Sequence, residues 1–335
     1  MPLAVGPAIS RRGGCRIGMA WAQVVKYGPA SMSHVLTLIA APASVAEAAL
    51  SPSLLPAMAD ALRALGAETG RPEWLAEREA VDLPFSGIAP DQASAAARAA
   101  LVERPVDAIA QPAEGRRKRL LVADMDSTIV TSETLDELAA YAGMGEKVAA
   151  ITKRSMNGEI DFATSLRERV ALLQGLPVEA LEATWAKTHL MPGARALVRT
   201  MVANGAHCAL ASGGFTWFTA RVATLCGFTT HHANILLDDG RHLLGRVEEP
   251  VFDRDAKLTI LTRLASENGL SMAETLAVGD GANDLAMIGA AGLGVAYHAK
   301  PVVAAAARAR VEHGDLRAVL YAQGYKATEI LPDEG

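Results

Sequence analysis

Leu120-Leu121-Val122-Ala123-Asp124-Met125-Asp126-Ser127-Thr128 is the stretch whose reading decides the fold. Four apolar residues run straight into two carboxylates separated by one residue, and a hydroxyl pair follows. A short apolar run bounded by a basic segment and polar turn residues reads as a buried parallel strand. Residues i and i+2 of a strand face the same side, so Asp124 and Asp126 are expected to project together from its C-terminal end. That is where open α/β sheets bind their ligands. Adjacent carboxylates repel each other and lose hydration unless a cation or a proton sits between them. Turn or cap chemistry is the ordinary alternative for such a pair, and the rest of the chain argues against it.

Downstream, helix patterns dominate from Glu133 to Asn204, punctuated by Met144-Gly145, Asn157-Gly158 and Gly175-Leu176-Pro177. They precede the second strand, so they read as a helical cap at about 133–200 inserted after the first strand. Strand patterns resume at His207-Cys208-Ala209-Leu210-Ala211, which runs into Ser212-Gly213-Gly214-Phe215. Asn234 to Val247 predicts a hairpin around Asp239-Gly240, and Ala256 to Glu267 predicts a helix. Thr275 to Val278 reads as a strand ending in Gly279-Asp280-Gly281-Ala282-Asn283-Asp284, and Gly294 to Tyr297 as the last strand. Strands alternating with helices predict an α/β fold with a right-handed, mostly parallel sheet.

Upstream, Gln111 to Arg119 reads as a domain boundary. Its basic run Arg116-Arg117-Lys118-Arg119 is taken as a solvated linker, because no aromatic residue accompanies it as a nucleic-acid contact would want. Residues 33–110 mix short strands (35–39, 71–81 and 106–110) with helices at 53–65 and 91–102, the pattern of a small α+β module of the ferredoxin-like or ACT-like kind. Regulation or homodimer formation is the expected job of such a module. Residues 1–31 hold Arg11, Arg12, Arg16 and Lys26 and no acidic residue. They read as a disordered extension before Met32 rather than as a targeting signal.

Length and composition bound the rest. A chain of 335 residues suggests about two domains. Half the residues are hydrophobic, yet no run approaches the roughly 18 apolar residues of a membrane span. A formal net charge of -5 gives no general attraction to nucleic acid. Cys15, Cys208 and Cys226 form no paired framework, so reduced thiols in a cytoplasmic protein are expected.

Three strand ends thus carry polar groups suited to one chemistry. The first supplies Asp124 and Asp126. The second supplies Ser212 with Gly213 and Gly214, whose bare backbone lets amides approach an anion closely. The last supplies Asp280, Asn283 and Asp284, and Lys257 opens a helix between them. Together they offer acidic ligands for a hard cation such as magnesium, a hydroxyl and a lysine for phosphate, and a carboxylate free to attack. His231-His232 lacks acidic or cysteine partners at ligand spacing and reads as a loop. No dinucleotide or P-loop fingerprint is present.

In this order, Asp-Met-Asp-Ser-Thr, Ser-Gly-Gly-Phe, the Lys257 helix and Gly-Asp-Gly-Ala-Asn-Asp resemble the haloacid dehalogenase superfamily, and more narrowly its phosphoserine phosphatase family, over residues 118–325. The resemblance implies magnesium-dependent hydrolysis of phosphoserine to serine and phosphate, the last step of serine biosynthesis, through an aspartyl phosphate on Asp124. Asp126 would be the acid and base. Magnesium would be held by Asp124, the Asp126 backbone carbonyl and Asp280, with Asp284 behind or beside it. Ser212, the Gly213 amide and Lys257 would bind phosphate, with Asn283 nearby. In the cap, the resemblance points to Glu133 for the ammonium, Arg169 for the carboxylate and Met156 and Phe162 as apolar cover, with Arg167 a secondary candidate beside Arg169. Another small phosphate ester, such as phosphothreonine or phosphohomoserine, remains the alternative substrate. A catalytically silent binding protein would be expected to lack Asp124.

Overall fold

The strand that carries Asp124 lies inside a parallel sheet because its neighbours on both sides are equally apolar. A computed structural model of the chain describes residues 32–42, 50–51, 53–102, 104–156, 159–253 and 255–334. The readings of residues 1–31 and of Cys15 lie outside the described residues.

The first part of the described chain is β1 (His34–Ala40), α1 (Leu54–Arg63), β2 (Glu68–Thr69), β3 (Glu73–Ala76), β4 (Ala80–Ser86), α2 (Pro90–Leu101) and β5 (Val106–Pro112). The strands are antiparallel in the order β2-β4-β1-β5, with β3 also on β4. The single weak strand expected at 71–81 is instead a hairpin of β3 and β4, turned at Arg78, which takes φ 62°. Alternate residues of β1 divide its burial: Leu36 and Leu38 meet the α1 and α2 helices, while Ile39 packs into the main core. Both faces of this sheet are therefore covered.

The second part begins with β6 (Leu120–Ala123), followed by α3 (Thr134–Tyr141), α4 (Gly145–Met156), α5 (Phe162–Ala171), α6 (Glu179–Trp185) and α7 (Ala194–Ala203). Next come β7 (His207–Phe215), α8 (Thr216–Cys226), β8 (Thr230–Asn234), β9 (Leu236–Asp238) and β10 (Leu243–Val247). The chain closes with α9 (Ala256–Glu267), β11 (Thr275–Gly279), α10 (Leu285–Ala290), β12 (Leu293–Tyr297), α11 (Pro301–Ala306), β13 (Ala309–Val311) and α12 (Arg317–Ala322). Six strands pair in parallel in the order β13-β12-β11-β6-β7-β8. β6 is thus central, with Leu120 to Ala123 fully buried.

Helices α3 to α6 make the insert between β6 and β7. α7, which the sequence reading ran into the cap, packs on β7, α8 and α12 instead. Its Leu197, Val198 and Met201 complete the sheet's core, as a crossover helix requires. The hairpin of β9 and β10 forms as read, with Asp239 Oδ1 accepting from the backbone N–H of Arg241 (2.8 Å) and His242 (2.7 Å). It is tied to the insert through Gly175 and Leu243, whose backbones bond at 2.9 Å.

Three further expectations are corrected. His231-His232 is not a loop but part of β8, an edge strand whose polar sequence hides its pairing with β7. Gly294 to Tyr297 is not the last strand, since the short β13 pairs beyond it. The basic run is not a solvated linker. Arg116 binds Asp82 at 2.5 Å, and Lys118, only 8% exposed, donates to the carbonyls of Gly115 and Ala273, both at 2.8 Å. Arg117 pairs with Glu329 at 2.7 Å and stacks over Tyr325. The run is the seam between the two sheets, because β5 ends and β6 begins against the same core. Asp107 of β5 reinforces it by accepting from the backbone N–H groups of Glu312, His313 and Gly314. Cys208 and Cys226 are buried and unpaired. Among the described residues no helix is long and apolar enough to cross a membrane.

Candidate active site

β6 ends at Ala123, so the two carboxylates are not presented by a continuing pleat. Asp124 still joins the sheet, its N–H donating to the Val278 carbonyl at 2.9 Å. The chain then turns sharply: the N–H groups of Thr128, Ile129 and Val130 all donate to the Met125 carbonyl, and Ser127 takes φ 55°. This turn, rather than strand periodicity, brings Asp126 beside Asp124 on one wall of a cavity of about 840 Å³ between the sheet and the cap.

Asp126 is clamped between cap and sheet. Its Oδ1 accepts from the Thr134 backbone N–H and hydroxyl, both at 2.8 Å, and its Oδ2 from the Ser212 hydroxyl at 2.9 Å. Ser212 in turn accepts from the Gly214 N–H at 2.8 Å. A side chain at Gly214 would press on Ser212, Asp126 and Thr134 together. Asn234 anchors the same turn, donating to the Gly213 carbonyl at 2.9 Å and accepting from the Phe252 N–H at 2.7 Å.

Behind the wall lies a buried charge cluster. Lys257, 1% exposed, places Nζ 2.7 Å from Asp124 Oδ1 and 2.7 Å from Asp284 Oδ1. Burial opposes its charge, but Asp124 and Asp284 outweigh that and hold the ammonium protonated well above its ordinary range. Burial, and then the Asp284 charge, push the Asp124 carboxyl upward. Asp284 Oδ2 also accepts from the Gly281 N–H at 2.9 Å. Gly279 and Gly281 are needed because a Cβ at either would collide with Asp284 or Asn283. Asp280 accepts from the Thr128 hydroxyl at 3.2 Å, and Lys300 Nζ stands 3.6 Å from its other oxygen.

Asp124, Asp280 and Asp284 each bring a carboxylate oxygen within 4.8 Å of the other two, all buried. Against these three carboxylates stand the buried Lys257 and, 3.6 Å from Asp280, Lys300, so acidic groups outnumber basic ones in the cluster. An all-oxygen donor set with this charge suits a hard divalent cation such as magnesium. The Asp126 carboxylate stands outside this group.

On the cap side, Glu133 is the residue preceding α3 rather than a member of it, and Ser127 donates to its Oε1 at 2.9 Å. Burial and then the Asp126 charge push its carboxyl up to about 7. Arg169, in the last turn of α5, lines the cavity. Burial opposes its charge, and Asp136, Glu133 and Asp126 support it. Arg167 points elsewhere: it is exposed and forks onto Glu249 at 2.9 and 3.1 Å. Phe162 covers Gly213 so closely that a Cβ there would lie 3.0 Å from its ring. Of the residues singled out from the sequence, Asp124, Asp126, Glu133, Phe162, Arg169, Gly213, Asp280 and Asn283 line the cavity, whereas Ser212, Lys257 and Asp284 lie buried behind its wall. The side chain of Met156 lies outside the described residues. Thr134, Asn234 and Lys300 were missed, since a lone hydroxyl, amide or lysine carries no pattern. Thr128 stood inside the quoted stretch without a role.

A parallel sheet with a cap inserted after its first strand, and an aspartate pair at that strand's end, defines a class. The family model for haloacid dehalogenase-like hydrolases matches residues 118–292, and the chain belongs to that family. The chain is 41% identical over 254 residues to the phosphoserine phosphatase of Streptomyces coelicolor, covering 75% of this chain and 62% of that one. It is 43% identical to the phosphoserine phosphatase of Lactococcus lactis, covering 61% of this chain and 94% of the relative. The structure of a probable phosphoserine phosphatase from Vibrio cholerae, in unliganded form, superposes with a TM-score of 0.70 at 30% identity, over 89% of this chain and 88% of that one. The chain spans 53 to 62% of the length of several curated relatives it matches.

Proposed function

We propose that this chain is a magnesium-dependent phosphoserine phosphatase working through an aspartyl phosphate. The observation that carries the reading is that Glu133 and Arg169 line the same cavity as Asp124. An anion, a cation and a nucleophilic carboxylate match the ammonium, carboxylate and phosphate of a phosphorylated amino acid. The relatives with this name support the same substrate.

In this mechanism an oxygen of Asp124 attacks phosphorus, and the bond from phosphorus to the seryl oxygen breaks. Asp126 gives its proton to that departing oxygen, leaving serine. It then takes a proton from water, which attacks the phosphorus of the aspartyl phosphate and returns Asp124 and inorganic phosphate. Its two anchors, Thr134 on the cap and Ser212 on the sheet, keep its carboxylate aimed while it cycles. Lys257 steadies Asp124, and the Gly213 amide and Asn283 would donate to phosphate oxygens, while Ser212 holds Asp126 from behind the wall. Asp124, the Asp126 carbonyl, Asp280 and Asp284 would hold magnesium, which when bound neutralises charge on the phosphoryl oxygens. Residues 118–325 form the phosphatase domain in this reading, with a cap at about 133–200 that α7 leaves, and residues 33–110 form a small regulatory or dimerisation module. The setting in this reading is cytoplasmic, and the reaction would be the last step of serine biosynthesis.

The test is phosphate release from L-phosphoserine, phosphothreonine and phosphohomoserine, each with magnesium and with chelator. Magnesium-dependent release favouring phosphoserine supports the proposal, while preference for another ester overturns the substrate. Arg169→Met should raise KM for phosphoserine by about 100-fold, whereas Arg167→Met should change it less than about threefold. Equal effects would contradict the assignment of the carboxylate site.

Glu133 supplies a pH dependence. Its raised pKa means the carboxyl keeps its proton to higher pH than a free glutamate, and a protonated carboxyl does not attract an ammonium. KM for phosphoserine should therefore rise as pH falls below about 7. Glu133→Gln should raise KM throughout and flatten that limb. A wild-type KM constant across this range would remove Glu133 from the ammonium site.

A further inference from the structure

Among the described residues lining the cavity, the cationic side chains are Arg169, on the cap, and Lys300, on the sheet side. Their settings differ from that of Lys257, which is locked between two buried carboxylates. The Lys300 side chain is 53% exposed, and its Nζ lies 3.6 Å from Asp280 Oδ2. Its base is fixed to the same residue, because its backbone N–H donates to the Asp280 carbonyl at 3.1 Å. The loop is pinned on both sides, by His298, whose ring Nε2 lies 2.9 Å from the Gly314 carbonyl oxygen, and by Pro301, which opens α11. A firmly based, freely ending cation therefore stands against one carboxylate of the candidate cation site.

We propose that Lys300 holds the Asp280 carboxylate while the site lacks its divalent cation, yields it when the cation arrives, and then turns to the substrate's phosphate. This rests on the magnesium-assisted reading above. An ammonium and a divalent cation compete for the one Asp280 carboxylate, and like charges at such separations repel. Once displaced, the ammonium remains beside a wall carrying Asp124, Asp126 and Glu133. A phosphate dianion entering among these carboxylates needs cationic help, and among the described residues on the sheet side of the cavity lining the exposed ammonium is that of Lys300. A flexible four-carbon stem with a compact charge suits such an exchange.

Two measurements on Lys300→Gln and Lys300→Arg test this. Magnesium is titrated into the substrate-free protein by calorimetry, and steady-state rates are measured with L-phosphoserine. Lys300→Gln should bind magnesium about three- to fivefold more tightly, because its competitor is gone. Its KM should rise about five- to tenfold with kcat changed less than about twofold, and Lys300→Arg should restore KM. The two affinities move in opposite directions, which a general loosening of the site would not produce. Magnesium binding by Lys300→Gln that equals or falls below that of wild type overturns the proposal alone. A wild-type protein that takes up no magnesium overturns it together with the metal reading on which it rests.

Discussion

Asp124→Asn should abolish phosphate release from L-phosphoserine, with a loss of about 10⁴-fold or more in kcat, because no neighbouring group can replace an attacking carboxylate oxygen. Asp126 is held by Thr134 and Ser212, and Asp284 is committed to Lys257 and the Gly281 N–H. The variant should nevertheless be folded. The Asp124 carboxyl sits above its ordinary pKa in the folded protein, through burial and then the Asp284 charge. A raised carboxyl favours folding while protonated, and that contribution fades as pH rises through the folded value. The amide carries no such pH-dependent loss, so near neutral pH the cation-free variant should melt at or above the wild-type temperature. Inactivity without instability identifies the nucleophile. A variant that keeps a tenth of the wild-type rate would eliminate the aspartyl phosphate.

Lys257→Met should behave in the opposite way, losing both activity and stability. Lys257 is the ammonium shared by Asp124 and Asp284, and all three are buried. Removing one partner of a buried ionic cluster leaves uncompensated charge and typically costs about 3–5 kcal/mol. Chemical denaturation in the presence of chelator should show that loss. The cluster would then hold three carboxylates with no internal cation, so added magnesium should stabilise the variant more than the wild type. A loss below about 1 kcal/mol would mean that Asp124 and Asp284 are not both charged in the folded protein.

The two substitutions act on neighbouring atoms, yet one is expected to spare the fold and the other to damage it. The difference lies in which member of the cluster balances the others. Such a balance is a property of three chain segments meeting, and each segment alone looks ordinary. Lys257 read as a phosphate ligand from its place in the motif order, but in the structure it is first the counter-ion of Asp124 and Asp284. Ser212 likewise read as a phosphate hydroxyl and is found donating to Asp126.

Legible in the order of residues alone are the class of fold and most of the candidate residues that the structure brings to one cavity and its wall. Apolar runs of four or five residues, too short for helices and ending in glycine, serine or aspartate, read as buried strands of a parallel sheet. Their polar ends necessarily share one edge, because parallel strands point the same way. The tertiary structure decided everything that depends on surfaces meeting. It turned the basic run at 116–119 into a seam, because Asp82, Glu329 and Tyr325 arrive there from distant segments. It paired the polar His231-His232 segment with β7 as an edge strand. It also separated Arg169 from Arg167, two positions apart on one helix, sending one to the cavity and the other to Glu249. Charge and hydrogen-bond partners come from residues far away in the chain, and only folding brings them within the few ångströms over which those forces act.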